Sequence, residues 1–191
     1  MREIFRKRME FNPVICAVKD VNNIDEALES DSEIIFCLCG NIFNLPDIVS
    51  RVKNAGKLIF IHIDLIEGFS KDATALKYIN EKIKPDGIIS TKNNLLKVAK
   101  ELGLLTVQRL FIIDSLSIET TVKTSSTINP DAIEILPGIM PRIIKKLSST
   151  LSVPIIVGGL ISEFDDINNA TESGALGVST SAKALWRKQN D

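Results

Sequence analysis

Eight short apolar runs recur along the chain, separated by longer amphipathic segments. They span 13–18, 33–39, 57–63, 86–91, 104–111, 131–136, 153–159 and 175–181. Rich in isoleucine and valine and too short for helices, they read as strands buried on both faces. The segments between them carry helix signals. After the second run, Asn44 and Pro46 mark a start, Ile48, Val49 and Val52 form a stripe, and Gly56 marks a stop. Leu95, Leu96, Val98, Ala99 and Leu102 sit at helical spacing before Gly103. Pro141 precedes Ile143, Ile144 and Leu147, while Ser162 and Asp165 fit a capping box ahead of Ile167 and Ala170.

The entries to the strands repeat as well. "KPDGII", "NPDAIEI" and "SVPIIV" place a proline just before a strand, and "AGKLIF", "LGLLTV" and "SGALGV" a glycine. Eight βα units in series predict a compact α/β fold, a (β/α)8 TIM-type barrel. The Gly-x-Gly-x-x-Gly signature of an open dinucleotide-binding sheet is absent after the first strand. At about 23 residues per unit the chain is shorter than the roughly 250 residues usual for this barrel. Short helices follow, with room for one to be missing. No linker divides residues 1–191, so one domain is expected, with residues 1–11 as a basic N-terminal arm.

Composition narrows the class. At 45% hydrophobic and 25% charged residues, the balance is that of an ordinary soluble globular chain. A formal net charge of -1 supplies no global positive field for nucleic acid, although a local patch would be enough. No apolar run approaches the roughly 18 residues that span a bilayer, and the basic N-terminus has no apolar core behind it. Cys16, Cys37 and Cys39 lie in strand-like runs and read as buried free thiols in a reducing cytoplasm. Neither a membrane partner nor a resident metal or cofactor is expected.

In a barrel of this kind the functional face is the C-terminal end of the strands. Strand parity selects the side chains there. Ile59, Ile61 and Ile63 suit the helix layer, so His62, the sole histidine, and Asp64 should point into the mouth. By the same parity Glu134 points inward, between Ile133 and Ile135. Gln108 and Arg109 have opposite parity, so at most one points straight in. Lys19 ends strand one, and Ser90 and Thr91 end strand four. A buried Glu134–Arg109 ion pair that only fixes the interior is the competing explanation for those two. Burying the whole set without a ligand would be expensive. Gly158 and Gly159 after strand seven, with Ser179, Thr180 and Ser181 after strand eight, have the composition of a phosphate seat.

An enzyme is one reading, in the form of an isomerase or lyase acting on a phosphorylated three-carbon substrate. Glu134 would be its base and His62 its electrophile. A Schiff-base lysine is not well placed, because Lys19 and Lys92 lie at the rim. One histidine is too few for a metallophosphodiesterase.

The segments "HIDLIEG" (62–68), "GIISTK" (87–92), "VQRLFIID" (107–114), "IEILPG" (133–138), "PIIVGG" (154–159) and "VSTSAKALW" (178–186) fall in order along the chain. Together they resemble the glycerol-3-phosphate-responsive antiterminators of bacteria, over about residues 12–188. The resemblance implies a barrel and a cytoplasmic regulator, not an enzyme. Its effector would be glycerol 3-phosphate and its target the leader mRNA of glycerol-uptake genes. Lys92 stands where the family typically has arginine, which keeps the charge but loses the planar fork. On this reading Gly158, Gly159, Ser179, Thr180 and Ser181 hold the phosphate. His62, Asp64 and Glu134 take the glycerol hydroxyls, and Gln108 and Arg109 line or brace the mouth. RNA would meet Arg2, Arg6, Lys7 and Arg8, or Arg142, Lys145 and Lys146, or Arg187 and Lys188. Base stacking is poorly supplied, with one Trp and one Tyr. Self-association is left open.

Overall fold

The computed structural model describes residues 1–187, so Lys188 lies outside the described residues. Its elements follow the predicted alternation: α1 (Arg2–Phe11), β1 (Val14–Val18), α2 (Ile24–Leu28), β2 (Ile34–Cys37), α3 (Leu45–Asn54), β3 (Leu58–His62) and α4 (Ala73–Tyr78). There follow β4 (Gly87–Ser90), α5 (Asn93–Glu101), β5 (Leu105–Phe111), α6 (Ser115–Ile128), β6 (Ala132–Leu136), α7 (Pro141–Thr150), β7 (Ile155–Gly158), α8 (Phe164–Glu172) and β8 (Gly177–Thr180). All eight strands are parallel and closed in sequence order, with β8 pairing β1. Among the described residues no α-helix follows β8. A single 3-10 turn, Lys183–Trp186, takes its place, with Leu185 and Trp186 buried.

Parity divides the core into two shells. Ile15, Ile34, Phe36, Leu58, Phe60, Ile89, Leu105, Val107 and Ile156 fill the barrel interior. Ile35, Ile59, Ile61 and Ile88 face the helices. Gly87 makes room for the largest interior side chain, since a Cβ there would lie 2.5 Å from the Phe60 ring.

Residues 2–11 of the basic N-terminal arm form α1, which closes the N-terminal end of the barrel. Phe5 and Met9 join the interior shell, and the Phe5 and Phe60 ring centroids lie 4.5 Å apart. Burying each of these two side chains is worth about 1.5–3 kcal/mol, enough to hold a short helix in place. The proline-initiated strand entries share a further device. Asp86 accepts the Ile59 amide at 2.9 Å, and Asp131 accepts the Thr106 amide at 2.8 Å. Each carboxylate reaches back from the start of its own strand to the preceding one. The capping box of α8 sits one residue beyond the expected pair, at Glu163 and Asp166. Asp166 Oδ2 accepts the Glu163 amide at 3.1 Å and the Ser162 amide at 2.9 Å.

Candidate functional site

A cleft of about 110 Å³ opens at the C-terminal end of the barrel. It is lined on one side by Ala17, Lys19 and Leu38, and on the other by Arg109, Glu134, Gly159, Leu160 and Ser179–Ser181. Arg109 and Glu134 point inward from neighbouring strands, in register with each other. Arg109 donates Nε to Glu134 Oε2 at 2.6 Å, and Ser179 donates Oγ to Glu134 Oε1 at 2.6 Å. Both carboxylate oxygens are therefore held, and Glu134 is fully buried. A buried ion pair of this kind needs such extra hydrogen bonds to offset its desolvation. Arg109 uses one of its five N–H donors on Glu134.

The wall after β7 is a turn of positive φ, at Gly159 (75°) and Leu160 (62°). A leucine in this region costs free energy that glycine does not. The amides of Gly159, Leu160 and Ser181 meet no protein acceptor among the described residues. Successive unpaired amides beside a guanidinium form an anion-binding concavity. Thr180 is turned differently, since its Oγ1 donates to the Ile161 carbonyl and accepts from the Ala182 amide. Gly158 serves packing. It is a buried strand residue whose missing Cβ leaves the space that Ser179 Oγ occupies.

The other expected residues are placed beside the cleft rather than on it. His62 points into the barrel and is 3% exposed, with Nδ1 buried and without a hydrogen-bond partner. Burial, with the nearby Arg109 charge adding to it, lowers its pKa to about 4, against the opposing pull of Asp64. The imidazole is neutral at ordinary pH. Its Nδ1 lies 3.8 Å from Asp64 Oδ2, too far for a hydrogen bond. Asp64 instead ties two loops together. Its Oδ2 accepts Ser90 Oγ at 3.0 Å and the Thr91 amide at 2.8 Å. Of the β5 pair, Arg109 is the inward one. Gln108 lies on the helix-facing side with Thr106, and its Nε2 donates to Asn93 Oδ1 at 2.8 Å. Strand parity allowed only one of the two at the mouth, and the longer charged side chain holds it.

Leu38, Leu136, Leu160 and Ile161 complete the cleft and were not anticipated. Nothing in the local sequence signals positive φ at a leucine. The prediction that the cysteines are buried holds for Cys16 and Cys37, while Cys39 is half-buried. Among the described residues no group of three or more His, Cys, Asp or Glu side chains is arranged to hold a metal ion.

Residues 14–186 match the family described as glycerol-3-phosphate responsive antiterminator. The chain belongs to that family. It is 41% identical to the Escherichia coli K12 protein YgcP over 175 residues, covering 92% of each chain. Among solved structures it is similar to the glycerol uptake operon antiterminator regulatory protein of Listeria monocytogenes str. 4b F2365. That match has 36% identity and a TM-score of 0.87, over 92% of this chain and 95% of that one. A glycerol uptake operon antiterminator-related protein of Thermotoga maritima MSB8 matches at 28% identity and a TM-score of 0.80, over 91% and 96% of the two chains. Enzymes share the fold alone. One is the N-acetylmannosamine-6-phosphate 2-epimerase of Clostridium perfringens, at 13% identity and a TM-score of 0.69, over 92% and 88% of the two chains.

The basic groups of this antiterminator-family chain divide into paired and unpaired sets. Arg2 pairs with Asp131, Arg6 with Glu10 and Lys7 with Glu3. Arg8 donates to the Gly56 carbonyl, and Arg187 lies 3.7 Å from Glu29. Arg142, Lys145 and Lys146 on α7 make no ion pair among the described residues. No helix of the described chain is long and apolar enough to cross a membrane.

Proposed function

We propose that this chain senses glycerol 3-phosphate at the barrel mouth and acts as a transcription antiterminator on the leader mRNA of glycerol-uptake genes. The observation that carries the reading is the cationic and amide lining of the cleft in a chain of this family. The phosphate would rest against the free amides of Gly159, Leu160 and Ser181, with Arg109 and Lys19 supplying charge. Ser179 and Thr180 would border it. The glycerol hydroxyls would turn towards Glu134, with the unpartnered Nδ1 of His62 behind it and reached directly or through water. Asp64, Ser90 and Thr91 would brace the rim.

The state of Glu134 favours a sensor over an isomerase. Both oxygens already accept a bond, from Arg109 and Ser179, which leaves lone pairs for a hydroxyl but ties the carboxylate into a buried ion pair. His62 does not line the cleft, and Lys19, the lysine that does, stands at its rim beyond the end of β1. For RNA, the unpaired Lys145 and Lys146 are better placed than the N-terminal bases, which are spent on intramolecular pairs. Coupling would be linkage: ligand binding must favour the RNA-competent state.

The test has two arms. Calorimetry with glycerol 3-phosphate should give saturable binding that Gly159→Asp or Ser181→Asp abolishes. Gel shifts of the leader transcript, run across salt concentrations, should depend on the ligand. Turnover of glycerol 3-phosphate or a triose phosphate by the pure protein would support the enzyme reading instead.

A further inference from the structure

The loops after β5, β6 and β7 are adjacent in the barrel, and backbone bonds join them. The Ile112 amide donates to the Leu136 carbonyl at 2.8 Å, and the Gly138 amide to the Gly159 carbonyl at 3.0 Å. On this continuous platform stand Phe111, Ile113, Leu116, Ile139 and Leu160, all exposed. Ile113 is 87% and Leu116 68% exposed, more than Ile4, Ile42 or Leu65, the exposed isoleucines and leucine outside the arc. Together the five form an exposed apolar cluster of the class of a typical monomer's largest patch, about 300–600 Å². With a polar margin, that approaches the roughly 800 Å² per partner of a standard stable interface.

The margin carries both signs of charge. Glu119 of α6 and Arg142 of α7 both lie near the mouth end of their helices, and neither makes an ion pair among the described residues. Asp114, the N-cap of α6, adds a second negative charge. A patch with an apolar centre whose margin carries both signs of charge can complement itself under two-fold rotation, because Glu119 of one copy can then meet Arg142 of the other. It is poorly matched to RNA, whose phosphates would face Asp114 and Glu119.

We infer that the arc formed by Phe111, Ile113, Leu116, Ile139 and Leu160 is a self-association surface, and that its occupant is a second copy of this chain. The inference goes beyond the sensor reading and does not rest on it.

Sedimentation equilibrium on the full chain, without ligand, tests it. The wild type should be a dimer at tens of micromolar. Ile113→Asp and Leu116→Asp, both at exposed positions, should each weaken dimerisation at least tenfold with the far-UV spectrum unchanged. Phe43→Asp is the control. Phe43 is 91% exposed on the loop after β2, outside the arc, and its substitution should leave the mass unchanged. Arg142→Glu should also weaken the dimer at least tenfold. A wild type that is monomeric at this concentration overturns the inference. So does a dimer that survives Ile113→Asp and Leu116→Asp, or one lost equally in Phe43→Asp. A monomer whose leader-RNA shift is abolished by Ile113→Asp would assign the arc to RNA and overturn it as well.

Discussion

Arg109 and Glu134 meet at 2.6 Å across adjacent strands, both buried at the cleft of the barrel mouth. Removing one partner leaves the other buried and uncompensated. Arg109→Met should therefore cost about 3–5 kcal/mol in urea unfolding. Arg109→Met combined with Glu134→Leu should recover most of that loss, because the desolvation penalty disappears with both charges. Both variants should lose glycerol 3-phosphate binding in calorimetry, which separates the stability of the pair from its part in the cleft.

The space at Gly158 belongs to Ser179. A Cβ there would collide with Ser179 Oγ and lie 3.0 Å from Glu134 Oε1. Gly158→Ala should destabilise the protein by about 1–3 kcal/mol, the range for forcing atoms into a packed core. Ser179→Gly in the same chain should restore part of this, since the hydroxyl that obstructs the methyl is gone. Thermal unfolding of the two variants checks the order.

His62 should shape the acid limb of stability. Its pKa is held to about 4 when folded, below the ordinary histidine value of 6.5. Between pH 6.5 and 4 the unfolded chain takes up the proton that the folded chain refuses. Stability from this group is thus fully present above pH 6.5 and falls as pH drops to about 4. The loss is about 3 kcal/mol over the window. His62→Gln should flatten that part of the stability profile measured by denaturant titration, leaving a shallower slope than the wild type.

Asp64 holds the loops after β3 and β4 through Ser90 and Thr91. Asp64→Ala removes the acceptor for both. A loss of about 1–3 kcal/mol is expected. Hydrogen exchange should show faster amide exchange at Thr91, with the barrel strands unchanged.

Ligand binding should be visible as stabilisation. At a hundredfold excess over Kd, glycerol 3-phosphate should add about 2.7 kcal/mol, a rise in Tm of about 5–10 °C for a chain of this size. Glycerol alone, at the same concentration, should produce no such rise, because it lacks the anion that Arg109 and the Gly159–Leu160 turn would receive.

Much of this was legible before the fold was known. Period-two parity put Phe60, His62 and Glu134 inside the barrel and Ile59, Ile61, Ile133 and Ile135 outside, because a strand in a closed barrel has only two faces. It also limited Gln108 and Arg109 to one inward place, without saying which. That choice depended on Glu134 across the strand pair, a contact 25 residues away in sequence. The docking of the N-terminal segment was likewise not legible from its charges. Two apolar residues spaced a helical turn apart, Phe5 and Met9, seat it against Phe60.

By itself the sequence determined the alternation of eight strands with amphipathic helices, the closed barrel and the end of it where polar groups collect. These follow from local periodicity and short-range joints. Only the tertiary structure decided that Asp64 ties loops while His62 stays unpartnered, and that Gly158 makes room for Ser179. It alone also set a leucine in a positive-φ turn that lines the cleft. Those outcomes depend on which atoms meet across strands, and no period along the chain encodes such meetings.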